Sequence, residues 1–197
     1  VMRLALRPLI HSGERPKRTR AVQHLHITTS QLSGCTVPRS CAMVAPMLHC
    51  DIDTQFGTLT LSEDNGMIVR LDWGVSGAGD RSAVLDAART QLAEYDAGTR
   101  TAFDLPLRVN GSRVQQDVCA AMSAIPFGDT CTYGDIAKQL GIPAQVVGQA
   151  CGGNPIPIII PCHRVMGAKG LTGFSGAGGV ETKVALLRHE GAGGFLI

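Results

Sequence analysis

The 197 residues suffice for one or two domains with a proper core, and their make-up (44% apolar, 17% charged, 4% aromatic) is that of a soluble globular chain. No apolar run approaches the roughly 18 residues of a membrane span, which excludes a helical membrane protein. The formal net charge of +2 conceals an asymmetry: residues 1–46 carry seven basic groups against Glu14 alone, leaving eleven basic and fifteen acidic residues from 47 onward.

Residues 1–46 read as a leader. An Arg-rich, acid-poor segment fits a nucleic-acid arm or an organellar presequence. Weak periodicity, scattered Gly, Pro, Ser and Thr, and Met43 or Met47 just before the first strand pattern favour a third reading, a disordered or over-extended start without a role in function. The seven cysteines (Cys35, Cys41, Cys50, Cys119, Cys131, Cys151 and Cys162) are odd in number and form no CxxC pair. That pattern predicts reduced thiols rather than a disulfide framework, and no metal site.

From 48 to 74, "LHCDIDTQFGTLTLSEDNGMIVRLDWG" alternates as strand, turn, strand, turn, strand, with Asp64-Asn65-Gly66 a strong hairpin signal. Residues 82–96 place Val84, Ala88, Leu92 and Tyr95 at helical spacing, and the extended stretch "AFDLPLRVNG" follows. A small α/β domain over 47–108 is the expectation, with no chemistry in it.

Residues 109–192 read as a helical domain, with 193–197 a tail. Ser112 opens a helix in which Gln115 completes a capping box and Val114, Val118, Ala121 and Ile125 form the buried stripe. Thr132 and Asp135 repeat the capping pattern before "YGDIAKQLG"; Gly141 ends that helix, and Pro143 suits the first turn of the next. Two short helices joined through a glycine turn form a helix-turn-helix candidate. The small residues Ala144, Gly148 and Ala150 on the second helix permit close approach of a partner, either another helix or a duplex groove.

The stretch "IIIPCHRV" (158–165) reads as a buried strand ended by Pro161, which delivers Cys162 at a strand end. A thiol becomes a strong nucleophile only as the thiolate, which needs a base or a positive field. His163 and Arg164 follow at once, although neighbours along a strand point in opposite directions. In "GVETKVALLRHEG", Val180, Val184, Leu186 and Leu187 define an apolar arc that also carries Lys183 and Glu190. Either those two charges reach solvent or pair with each other, or Glu190 orients His163 as in a generalised triad. The six glycines of 166–179 lack a phosphate-loop layout and fit a loop closing over a flat substrate.

Taken together, "GGNPIPIIIPCHRV" (152–165), "GFSG" (173–176) and "LLRHEG" (186–191) resemble the O6-methylguanine-DNA methyltransferases, over roughly residues 48–191. The resemblance implies a ribonuclease-H-like α/β domain followed by a helical, winged-helix or helix-turn-helix-like domain that binds DNA and holds the site. It implies a monomer acting on double-stranded DNA containing O6-alkylguanine, away from membranes. The compartment is the cytoplasm in a bacterial host, or the nucleus or an organelle in a eukaryotic one. No cofactor is implied, because the lesion is the alkyl donor. The activity implied is irreversible, stoichiometric transfer of the alkyl group from O6-methylguanine, and from O4-methylthymine, to Cys162.

By the same resemblance His163 is the water-mediated base, Glu190 holds it, and Asn154 braces the turn. Tyr133, the Val165 carbonyl, Ser175, Phe174 and Lys183 belong to the pocket for the flipped base. Apart from the resemblance, the small residues Ala144 and Gly148 beside Gln145 are the candidate groove-facing positions, and Arg113, Lys138 and Arg164 the candidate phosphate contacts. Two positions depart from the family pattern. Gln145 stands where an arginine usually fills the gap left by the flipped base, and Phe174 stands where tyrosine is common. The competing readings are a lesion-binding relative without transfer and a Cys-His-Glu thiol hydrolase.

Overall fold

The computed structural model describes residues 46–171 and 173–192. The expectations for the leader up to residue 45, with Cys35 and Cys41, and for the 193–197 tail lie outside the described residues.

Strands β1 (Leu48–Thr54), β2 (Gly57–Asp64) and β3 (Met67–Trp73) form an antiparallel meander in the order β1-β2-β3. The β2–β3 turn has Asn65 at φ 52° and Gly66 at φ 77°, the two left-handed residues that a tight two-residue hairpin requires. Helix α1 (Ala83–Asp96) starts at Ser82, whose side chain accepts from the Leu85 N–H, and buries Leu85, Ala88, Leu92 and Tyr95. Leu85 thus joins the expected inner face, and Val84 packs against the core at its half-buried edge. The following extended stretch hydrogen-bonds beside β3, with Ile68 N–H on the Pro106 carbonyl and Arg108 N–H on the Ile68 carbonyl.

The helical half comprises α2 (Arg113–Ser123), α3 (Tyr133–Leu140), α4 (Ala144–Gly152) and α5 (Val180–His189). A short parallel pair joins β4 (Cys131–Thr132) to β5 (Val165–Met166). Ser112 caps α2, but the Gln115 side chain does not close the expected box. It donates instead to the Ala150 carbonyl at 2.8 Å, tying α2 to the end of α4. Val114 is exposed, so the buried stripe of α2 is Val118, Cys119, Ala121 and Met122. Thr132 and Asp135 do form a reciprocal capping box, and Gly141 ends α3 at φ 67°. Pro143 is the N-cap of α4, one residue before the expected position. Among the described residues the larger apolar core runs from Cys50 and Leu59 through Val118 and Val147 to Ile160 and Leu186, with a smaller cluster of Met166, Leu187 and Ala192.

The isoleucine run is not a strand. Residues 157–160 form a buried turn closed by the Ile160 N–H on the Ile156 carbonyl at 2.8 Å, with Ile158 in the left-handed region at φ 71°. A β-branched residue there costs on the order of 1–3 kcal/mol and persists only where the surroundings enforce it. Asn154 enforces it: Nδ2 donates to the Ile160 carbonyl at 2.8 Å, and Oδ1 accepts from the Ile156 N–H at 3.1 Å. A continuous apolar run signals burial on all sides, and a core turn satisfies that as well as a strand does. Pro155, Pro157 and Pro161 remove three ladder donors and decide for the turn.

Candidate active site

Directly after that turn, Cys162–Arg164 coil into a single 3-10 turn. The strand end expected at Cys162 is thus replaced by a tight bend that carries His163 and Arg164 with it. All three side chains are buried.

Glu190, at the C-cap of α5, is the hub. Its Oε1 accepts from Tyr95 Oη (2.8 Å), His163 Nε2 (2.8 Å) and Arg164 Nη2 (2.9 Å). Its Oε2 accepts from Arg164 Nε at 2.8 Å and the Gly128 N–H at 3.4 Å. Burial alone would raise this carboxyl, but the hydrogen bonds from His163 and Arg164 prevail and hold it at about 2. An ionised acceptor on Nε2 fixes the His163 tautomer, so Nδ1 carries the lone pair. That atom is buried and has no hydrogen-bond partner among the described residues. Burial lowers the His163 pKa against the opposing pull of Glu190, which keeps the ring neutral and able to accept a proton. Burial also raises the Cys162 thiol, countered by the Asn154 side chain and the Lys183 charge. A thiol so placed ionises only by handing its proton to a base.

Lys183 is fully buried on α5 and donates to the Val165 carbonyl at 2.6 Å. The inward positions of Lys183 and Glu190 are as the helical wheel places them, and neither reaches solvent nor pairs with the other. Val180, by contrast, is exposed.

Cys162 opens onto a pocket of about 460 Å³. Tyr133, Gly148, Cys151 and Gly152 line one side, and Gly173, Phe174 and Ser175 the other. Phe174 packs edge-on against Trp73 of β3, ring centroids 5.8 Å apart at 84°. Gly176 permits that contact, since a Cβ there would lie 2.8 Å from the Trp73 ring. Beyond the pocket, Ala144 and Gln145 are exposed on the first turn of α4, and Gly148 is half-buried with open space where a Cβ would stand. Lys138 is exposed, and Arg113 is exposed but paired with Asp117 at 2.9 Å.

Arg164 is not available to a phosphate. The 3-10 turn directs its guanidinium inward, where it grips Glu190 bidentately, donates to the Ile125 carbonyl at 2.6 Å and lies over the Phe127 ring. The α/β half is not free of chemistry either, because α1 supplies Tyr95 to Glu190. One signal for Tyr95 was present in the sequence: a tyrosine on a buried stripe needs a hydroxyl partner. Gly128, Cys151 and Trp73 carried no such signal.

A buried thiol with a neutral histidine locked by a carboxylate, beside two short helices joined at a glycine, defines a pocket cysteine nucleophile on a helix-turn-helix scaffold. Residues 113–192 match the family model described as 6-O-methylguanine DNA methyltransferase, DNA binding domain. The methylated-DNA–protein-cysteine methyltransferase of Mycolicibacterium paratuberculosis is 40% identical over 149 residues, covering 71% of this chain and 89% of that protein. Its Mycobacterium tuberculosis counterpart is 42% identical over 160 residues, covering 73% and 93%. A crystal structure of the M. tuberculosis O6-methylguanine methyltransferase superposes with a TM-score of 0.66 at 39% identity, covering 74% of this chain and 93% of that one. A structure of M. tuberculosis OGT in complex with DNA gives 0.66 at 41%, covering 75% and 96%. The chain belongs to the methylated-DNA–protein-cysteine methyltransferase family.

Proposed function

We propose that the protein repairs alkylated DNA by moving the alkyl group from O6 of guanine, and from O4 of methylthymine, onto Cys162, once per molecule. It acts as a monomer on double-stranded DNA, in the cytoplasm of a bacterial cell. One observation carries the reading: His163 Nε2 is committed to Glu190 at 2.8 Å, so the base presents only its Nδ1 lone pair.

The lesion's O6 lies inside the duplex, so the nucleotide must rotate out at a cost of a few kcal/mol. The helix pair α3–α4 lies along the groove, the small surface of Ala144 and Gly148 allows close approach, and Gln145 occupies the gap. Lys138 and Arg113 contact phosphates. The base enters between Tyr133 and the Phe174–Ser175 wall, and the Val165 carbonyl, which retains a second lone pair beside Lys183, accepts from it. His163 takes the Cys162 proton through a water and becomes an imidazolium held by Glu190. The thiolate attacks the alkyl carbon in line while the O6–carbon bond breaks, and guanine leaves with the proton passed back through the pocket from the His163 imidazolium, which returns to neutral. A thioether does not release its alkyl group, so no second turnover follows.

Loss of methyl from a duplex bearing one O6-methylguanine, followed with DNA in excess, tests this. The expected reaction stops at one equivalent per protein. Continued turnover would mark a hydrolase, and tight binding without methyl loss would mark a lesion-binding relative.

A further inference from the structure

The pocket that holds the acceptor contains a second thiol. Cys151, in the last turn of α4, lines the same cavity of about 460 Å³ as Cys162. Its position is defined: the thiol donates to Met122 Sδ at 3.4 Å, on the core side. Committing the proton to Met122 leaves the sulfur lone pairs for the opposite, pocket side. Gly148 and Gly152 line the pocket beside it without Cβ atoms and with open space in their place, so Cys151 is the one side chain that α4 contributes to the lining.

We propose that Cys151 is a second acceptor for alkyl groups that carry another leaving group, so that a transferred 2-haloethyl unit bridges Cys162 to Cys151. This rests on the transfer reading above. In the first step the Cys162 Sγ–carbon bond forms, the O6–carbon bond breaks and guanine departs with a proton. The new thioether sulfur then displaces the halide from the second carbon, giving a three-membered sulfonium and a halide ion. Cys151 Sγ attacks a ring carbon, the breaking C–S bond returns its electron pair to the Cys162 sulfur, and the Cys151 proton passes to water.

Division of labour between the thiols follows from their surroundings. Burial, reinforced by the nearby Cys162 charge, pushes the Cys151 thiol up to about 12, and its hydrogen-bond partner is Met122 rather than a base. Cys151 therefore does not compete for a methyl group. It reacts only with an electrophile as strong as a sulfonium generated beside it.

The test uses the full chain and two duplexes, one freshly chloroethylated at guanine O6 and one bearing O6-methylguanine. After trypsin, residues 139–164 form one peptide containing both thiols. The bridge predicts a two-carbon adduct one water lighter than the hydroxyethyl product, with Cys151 closed to iodoacetamide. Cys151→Ser or Cys151→Ala should convert the adduct to hydroxyethyl on Cys162. Hydroxyethyl Cys162 with a freely labelled Cys151 in the unaltered chain, alongside normal methylation from the second duplex, would overturn the bridge alone. An unmethylated Cys162 with that second duplex would overturn the transfer reading and the bridge together.

Discussion

The phenol of Tyr95 donates to Glu190 Oε1 at 2.8 Å, joining residues 95 positions apart in the chain. The last turn of α1 thereby ends on the same carboxylate oxygen that holds His163. Tyr95 is absent from the pocket lining, yet it shares with His163 the Glu190 charge, so in the proposed reaction it acts as a positioning residue.

Tyr95→Phe keeps the ring packed against Phe103 and Phe127 and removes only the donor. A hydrogen bond to a charged group is worth roughly 1.5–3 kcal/mol, and urea denaturation should show a loss in that range. With one donor fewer, Glu190 stabilises the His163 imidazolium more strongly. The acid limb of the single-turnover transfer profile should then move to higher pH. A destabilised variant with an unshifted profile would reduce Tyr95 to a packing role.

Stability should fall as pH drops, in two stages. His163 has a folded pKa below its ordinary 6.5, so the unfolded chain binds the proton first and stability declines as pH falls below about 6.5. Glu190, held at about 2 against an ordinary 4.5, contributes stability that is complete above about 4.5 and is lost toward pH 2. Denaturation midpoints across this range check the sign. In Glu190→Gln the lower stage should shrink.

Trp73 is the sole tryptophan of the sequence and packs edge-on against the pocket wall at Phe174. Its emission should change when an O6-alkylguanine duplex enters the site. Phe174→Leu should lose an aromatic contact worth about 0.5–1.5 kcal/mol and most of that optical response. A full response in the variant would show that Trp73 does not sense the wall.

Gln145 is exposed on the first turn of α4, where a longer cation has room. Gln145→Arg should speed transfer from duplex DNA and leave transfer from free O6-benzylguanine unchanged, since only the duplex requires flipping. An equal effect on both substrates would remove Gln145 from the flipping step.

The legible parts of the fold were those governed by local rules. Asn65-Gly66 fixed a hairpin, Thr132 and Asp135 a capped helix start, and the α5 wheel turned Lys183 and Glu190 inward. Failures came where tertiary contacts overrode a local pattern. Gln115 sits where a capping box places it, but the Ala150 carbonyl competes for its amide. Ile158–Ile160 are as apolar as a strand, yet three prolines and Asn154 fold them into a turn. That error carried into the site, because a strand would splay His163 and Arg164 whereas the 3-10 turn brings both to Glu190. The buried stripe signals that the Tyr95 hydroxyl needs a partner, but Glu190 lies 95 positions away and no spacing rule spans such a separation.

The central claim is that Cys162 accepts the alkyl group, and the mass of its peptide tests that most directly. After incubation with a duplex carrying O6-methylguanine, the peptide of residues 139–164 should gain one methyl, localised to Cys162, in proportion to the guanine restored. Cys162→Ser should abolish the gain. Restored guanine with an unmodified Cys162, or an unmodified peptide from protein that still binds the lesion, would contradict the account.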